Sequence, residues 1–261
     1  MGKGINSIVS AQSGESTLLN QSGHASWPFR VHPMTIRLLL TAGPTREPID
    51  GVRYLSNRSS GKMGLAVASE AAQRGWPTTL LLSSSIDAPL KPGLTCKRFT
   101  TTADLQSLLE EEAPACDVLI MAAAVSDFIP RRAENHHKLD RSTGPITLTL
   151  DPAPDLIEGV ARDARIEQTM IGFALEPAAD LHAAATAKLK RKRLHAIVAN
   201  PLETMDAETI TAVLIHAHEG VDAAPPNLTK HDFAPWLLDR VEQLHERRLG
   251  TLSSAPPCPP T

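Results

Sequence analysis

Five short segments of this 261-residue chain concentrate residue types that hold anions, nucleotides or metals. The first runs Thr41-Ala-Gly-Pro-Thr-Arg-Glu-Pro-Ile-Asp50 and resumes at Leu55-Ser-Asn-Arg-Ser-Ser-Gly-Lys-Met-Gly64. An apolar run leads into hydroxyls, glycine and guanidinium groups, then into a helical pattern. Backbone N–H groups at that helix start, with Ser59, Ser60 and Lys62, suit a phosphate. This is not a P-loop, because position 56 is Ser rather than Gly and Met63 replaces the Ser or Thr that would hold magnesium. Nor is it a dinucleotide fingerprint, of which only Gly61 and Gly64 are present. A plainer role stands beside the phosphate one: Asn57 and Ser59 cap the helix and Gly64 allows close packing.

The second segment is Met121-Ala-Ala-Ala-Val-Ser-Asp-Phe128. Small residues such as Ala122 and Ala123 let a ligand lie close to the backbone, and the Asp127 carboxylate could hold a hydrated magnesium beside a triphosphate. Asp127 would equally cap a turn over an alanine core. Third, Lys138 stands between His136-His137 and Asp140-Arg141. Adjacent histidines on a strand point to opposite faces and make a poor metal pair, so Lys138 matters only if its segment folds over a phosphate. Fourth, Ile171-Gly-Phe-Ala-Leu-Glu176 reads as a buried strand whose Phe173 either flanks a base or packs the core. Fifth, Lys188 and Lys192 lie four apart and share one helix face. They could grip a triphosphate or form a solvated basic end that the helix dipole favours.

These residues need a frame, and the hydrophobic pattern supplies it. Apolar runs at 36–42, 78–83, 117–123, 169–174, 196–199 and 211–216 alternate with helical patterns over 61–74, 102–112, 155–164 and 180–193, with another over 230–247 at the end. Fully apolar strands alternating with helices predict an α/β fold, a largely parallel sheet covered on both faces. Ligands in such sheets bind beyond the carboxyl ends of the strands, where strand order reverses. Pro145-Ile-Thr-Leu-Thr-Leu150 alternates with period two instead, which predicts a half-exposed strand, an arm leaving the main sheet.

Composition narrows the class. A net charge of −3 argues against broad nucleic-acid binding, and 3% aromatics argue against base-stacking platforms. No stretch approaches the ~20 apolar residues of a membrane span. The three cysteines, Cys96, Cys116 and Cys258, form neither a disulfide framework nor a zinc pattern and fit a reducing, cytoplasmic setting. Residues 1–33 are polar and aperiodic and are expected to be a disordered tail ahead of one domain over 34–250; Met34 is a candidate natural start, which mass spectrometry of the native N-terminus tests. Residues 251–261, with four prolines in the last six positions, are expected to form a second tail that cannot continue a helix.

Taken in order, these motifs and the Ile-Val-Ala-Asn200 strand resemble phosphopantothenoylcysteine synthetase, the ligase domain of the bacterial bifunctional coenzyme A biosynthesis flavoproteins. The resemblance covers about Ile36 to Arg247, and Ser-Asn-Arg-Ser-Ser-Gly-Lys-Met-Gly64 is its most specific part. It implies a Rossmann-like fold and a homodimer in which one subunit's arm closes the other's site. It also implies ligation of 4′-phosphopantothenate to L-cysteine through an acyl-cytidylate made with CTP and Mg2+. By resemblance Asn57 converts that intermediate, while Ala122, Ala123, Asp127, Lys138, Phe173, Lys188, Lys192 and the loop Ala153-Pro154-Asp155-Leu156 contact the nucleotide. Lys138 is also implied in catalysis, Asp127 in metal binding, and Gly43, Arg46, Asn57 and Ser60 in the substrate or phosphate walls. Residues 1–33 are too few for the flavin-binding decarboxylase domain, so neither FMN nor decarboxylation is expected and a separate decarboxylase is implied.

The chain departs from the family pattern at Ala153 (usually Asn), at Lys138-Leu-Asp-Arg141, at His195 (commonly Asp) and at Pro201. These departures bear on nucleotide preference, CTP against ATP. Two other readings stay open: an NAD(P)-linked reductase, opposed by the missing fingerprint and by Tyr54 being the sole tyrosine, and a non-catalytic nucleotide-binding module.

Overall fold

Leucine-rich runs become the central strands because both faces of each must be buried. The computed structural model describes residues 35–87, 92–131, 138–140, 142, 144–204 and 207–254. Its strands begin with β1 Leu38–Ala42, β2 Arg46–Pro48, β3 Tyr54–Ser56, β4 Thr78–Ser83, β5 Leu94–Phe99, β6 Val118–Met121 and β7 Phe128–Pro130. They continue with β8 Leu150–Pro152, β9 Thr169–Glu176, β10 Ala196–Pro201, β11 Thr209–Ile210, β12 Val213–His216, β13 Val221–Ala223 and β14 Leu228–Thr229. The helices are α1 Lys62–Gln73, α2 Thr102–Glu112, α3 Leu156–Asp163, α4 Leu181–Arg191 and α5 Lys230–Ser254.

Eight strands form one sheet in the order β13-β12-β10-β9-β6-β1-β4-β5. All pairings from β10 to β5 are parallel; β12 and β13 add an antiparallel edge. The chain leaves β1 toward β4 and β5, then returns to β1's other side with β6, so strand order reverses between β1 and β6. Successive side chains point to opposite faces. Leu38 and Leu40 therefore join the core under α1 and α5 with Val67, Phe233 and Leu237, while Leu39 joins Leu105, Ile157 and Leu189 under α2, α3 and α4. Arg74 locks α1 to α5: its guanidinium bridges Glu70 at 2.7 Å and Asp239 at 2.8 Å and donates to the Pro235 carbonyl at 3.0 Å. At the start of α2 a reciprocal capping box sets the boundary, with Thr101 Oγ1 accepting from Asp104 N–H and the Asp104 carboxylate from Thr101 N–H.

The α/β architecture and its helices agree with the sequence reading; several details differ. Strand β5 carries Lys97 and Arg98 and is half-exposed at the sheet edge, so its charges hid it from an apolar-run search. The expected strand over 145–150 is assigned only from Leu150 onward, where β8 meets β7, with Thr149 O accepting from Arg131 N–H at 2.8 Å; among the described residues 144–148 pair with no strand, and Ile146, Leu148 and Leu150 stay exposed. Helix α5 continues through Ser254, past the expected tail boundary at Thr251, because the prolines that block a helix begin only at Pro256. The tails at 1–33 and 255–261, Met34, and the pair His136-His137 lie outside the described residues. Among the described residues no helix is long and apolar enough to cross a membrane.

Candidate functional site

A cleft of about 760 Å³ opens beyond the carboxyl ends of β6, β9 and β10, beside the point where strand order reverses. Its first wall is the loop and helix start from Asn57 to Gly64. Gly61 takes a left-handed conformation (φ 69°) at the N-cap of α1, and no side chain caps the helix. The expected caps are thus corrected: the Asn57 amide donates to the carbonyls of Ala124 (3.2 Å) and Val125 (2.9 Å), and Ser59 Oγ accepts from Gly61 N–H at 3.4 Å. Backbone N–H groups at a helix start facing a cleft suit an anion. Gly64 permits this closeness, since a Cβ there would lie 2.4 Å from the Ala42 side chain.

The floor is Met121 to Asp127, held by hydroxyls and backbone. Thr41 Oγ1 accepts from Ala123 N–H and Thr45 Oγ1 from Ser126 N–H, each at 3.0 Å, while Ala124 N–H donates to Gly43 O at 3.0 Å. Ala122 and Ala123 are half-buried in this floor, Phe173 stands beside them on β9, and Asp127 is exposed at the end. The Asp127 carbonyl accepts from Ala153 N–H at 2.9 Å, which brings Ala153, Pro154, Asp155 and Leu156 against the floor. That bond uses backbone alone, so the Ala153 loop keeps its place without an amide side chain.

The last wall is α4. Lys188 pairs with Glu176 at 2.5 Å, and Lys192 and Arg191 pair with Asp155 at 2.9 and 3.6 Å, with Asp155 also capping α3 through Glu158 N–H. Among the described residues, Arg58, Lys62, Lys188, Arg191, Lys192 and Lys230 line the cleft against two carboxylates, Asp127 and Asp155. A chain of net charge −3 thus sets six of its 26 Lys and Arg side chains where an anion would sit.

Asn57, Ser60, Ala122, Ala123, Asp127, Ala153, Pro154, Asp155, Leu156, Phe173, Lys188 and Lys192 all come together in this cleft. Three expected residues do not line it. Gly43 (φ +87°) turns the chain behind the wall, where a Cβ would meet Ser83 at 2.7 Å. Arg46 lies on β2 with its guanidinium 4.5 Å above the Tyr54 ring. Lys138 is exposed and outside the cleft of its own chain. His195 is corrected more fully. It precedes β10, at the amino end of the sheet, where its Nδ1 accepts from Met170 N–H at 2.9 Å. Burial, helped by the Arg248 charge, lowers its pKa to about 4. It therefore lies at the rim opposite the cleft. Arg191 and Lys230 were missed. Arg191 lies three residues after Lys188 on the same helix and was recoverable by spacing; Lys230 reaches the cleft only through the tertiary fold.

Residues 34–244 match the family model described as the DNA/pantothenate metabolism flavoprotein C-terminal domain. The chain is 39% identical over 216 residues to the coenzyme A biosynthesis bifunctional protein CoaBC of Mycobacterium bovis, a match covering 78% of this chain and 51% of that protein. It is 35% identical over 190 residues to a cysteine/cysteine sulfinic acid decarboxylase from an unknown prokaryotic organism, covering 71% of this chain and 52% of that one. The chain thus spans about half the length of these curated relatives. The crystal structure of the C-terminal domain of coenzyme A biosynthesis bifunctional protein CoaBC superposes with a TM-score of 0.68 at 28% identity, covering 81% of this chain and 96% of that one.

Proposed function

We propose that this chain, which belongs to the DNA/pantothenate metabolism flavoprotein C-terminal domain family, ligates 4′-phosphopantothenate to L-cysteine at the expense of CTP. One observation carries this reading: an uncapped helix start, a floor of small residues and a cation cluster converge on one cleft at the sheet's reversal point. A carboxylate is a poor acylating agent, so its oxygen must first become a leaving group. The phosphopantothenate carboxylate attacks the α-phosphate of CTP, pyrophosphate departs, and an acyl-cytidylate remains. The amine of cysteine then attacks the acyl carbon and CMP is expelled, leaving an amide.

Protein groups orient these reactants and stabilise charge as it develops. Lys188, Lys192 and Arg191 bind the polyphosphate, exchanging their bonds to Glu176 and Asp155 for phosphate oxygens. Ser60 and the N–H groups at the start of α1 receive an anionic group. The floor from Ala122 to Asp127 and the loop from Ala153 to Leu156 enclose the nucleotide, with Phe173 against it. Asn57 acts in the second step, one of its N–H groups moving from a floor carbonyl to the developing oxyanion. A lone exposed carboxylate suits a magnesium ion that keeps most of its ligands as water and phosphate oxygens; Asp127 would hold it, and it would neutralise polyphosphate charge.

Lys138 acts at the nucleotide of a second copy of the chain in a homodimer. The exposed alternation of Ile146, Leu148 and Leu150, beside exposed Phe128 on β7, supports an arm that is covered by a partner. Light scattering of the purified chain at twice the monomer mass is the expected result. Gly43 and Arg46 support the cleft wall from behind. A flavin-dependent decarboxylase would act next on the product.

The deciding assay is pyrophosphate release with each of the four nucleoside triphosphates. Release that requires both CTP and phosphopantothenate supports the reading. A preference for ATP changes only the nucleotide. Nucleotide binding without any release makes the chain a non-catalytic module.

A further inference from the structure

The base of the arm is held by a carboxylate outside the cleft. Asp50 closes the turn between β2 and β3, and its side chain is only 2% exposed. Its Oδ1 accepts the turn's own N–H groups, from Val52 at 2.8 Å and Arg53 at 2.6 Å. Those two bonds are enough for a local Asx-type turn. The second oxygen has a distant partner: Oδ2 accepts from Leu139 N–H at 3.0 Å, 89 residues along the chain, and from the Arg53 guanidinium at 2.7 Å. Arg53 donates in turn to the Leu139 carbonyl at 3.3 and 3.4 Å. Both polar backbone groups of Leu139 are thereby captured by one ion pair. The Leu139 amide is the leading cause that lowers the Asp50 pKa to about 2, so the carboxylate is charged at any working pH. Lys138, the neighbouring residue, projects exposed from this anchor.

We propose that Asp50 is a positioning residue for the ligation: by fixing the backbone of Leu139 it sets where the Lys138 ammonium can reach. The inference rests on the reading above that Lys138 acts at the nucleotide. An ammonium on a free segment would sample many positions, whereas an anchored backbone confines it to the reach of one side chain.

Asp50→Ser separates the turn from the anchor. A serine hydroxyl can still accept the turn N–H groups but is too short to reach Leu139. In the full chain the expected result is a fall of about 10–100-fold in the kcat of pyrophosphate release with little change in the KM for CTP. The Leu139 amide should exchange faster in deuterated water while melting stays cooperative. Adding Lys138→Ala to Asp50→Ser should cost no more than Lys138→Ala alone, because both act through one group. Independent, multiplying losses in the double variant overturn the proposal, as does a wild-type rate for Asp50→Ser. Lys138→Ala at the wild-type rate removes Lys138 from the reaction and the positioning role with it. Lys138→Ala impaired with Asp50→Ser unimpaired overturns Asp50 alone. Should Asp50→Ser fail to melt cooperatively, Asp50→Asn, isosteric but uncharged, is judged by the same outcomes.

Discussion

At the carboxyl ends of β6, β9 and β10 the chain leaves an open cleft, with an uncapped helix start and ammonium groups around an alanine floor. At the amino ends of the same strands the polar groups close on one another. Asp117 accepts from the Arg37 guanidinium at 2.6 and 3.0 Å, and Gln168 donates to the carbonyls of Ala113 and Cys116 at 2.7 and 2.9 Å. Arg248 on α5 donates to Ile166 O, Gln168 O and Thr169 Oγ1, and Thr169 also bonds His245 Nδ1 at 2.9 Å. A parallel sheet offers the same backbone at both rims. Small residues and loops leave one rim open; long side chains returning from α5 and from the residue before β10 seal the other. Substitutions at the open rim should therefore change chemistry, and those at the sealed rim should change stability.

The largest expected effect tests the open rim. Asn57→Ala should still release pyrophosphate yet form product about 100–1000-fold more slowly, the scale of a lost oxyanion donor. Chromatography of quenched reactions should show accumulated acyl-cytidylate, and normal product turnover would remove Asn57 from the second step.

Acid tests the sealed rim. The His195 pKa is about 4 in the folded protein against an ordinary 6.5, and that of His245 is also lowered, by burial first. Between these values the unfolded chain binds the proton that the folded chain refuses. Stability is then flat above pH 6.5, falls as pH drops from 6.5 toward 4, and levels below. At about 1.4 kcal/mol per pH unit, the interval from 6.5 to 4 makes His195 alone worth about 3 kcal/mol. Urea titrations across this range should show a shallower fall in His195→Gln; identical slopes would contradict a neutral, half-buried imidazole.

Lys188→Ala should weaken CTP binding by about 1.5–3 kcal/mol, the worth of a hydrogen bond to a charged group, measured by calorimetry. Its melting temperature should stay near that of the parent, and a full loss of stability would move Lys188 from receptor to scaffold. The smallest effect is Arg37→Ala. That pair is half-exposed on the arginine side, at 55%, and solvent screens it, so its loss should barely move the urea midpoint and leave ligation unchanged. A change in rate there would mean the two rims are coupled.

The open rim was the more legible of the two. Asn57, Asp127, Phe173 and Lys188 sit in short motifs at strand ends or on one helix face, so their convergence follows from the parallel topology that the apolar runs already imply. Gly43 and Arg46 belong to the first of these motifs but lie off the cleft: Gly43 (φ +87°) turns the chain behind the wall, and Arg46 is held in β2 opposite Ser56 with its guanidinium over the Tyr54 ring. The sealed rim was almost silent. His195 read as a departure in the binding motif, and nothing local marked Arg248 or His245 as its neighbours.

Apolar runs, helical periodicity and the order of motifs thus determined the class of fold, the rim where the cleft opens and most of the side chains gathered there, since each of these depends on spacing within one segment. The edge strand β5, the closure of the amino rim by Arg248 and His195, the distance of Lys138 from its own cleft and the hold of Asp50 on Leu139 were decided only by the tertiary structure. They are contacts between residues tens of positions apart, and such contacts follow from how segments pack rather than from the pattern of any one of them.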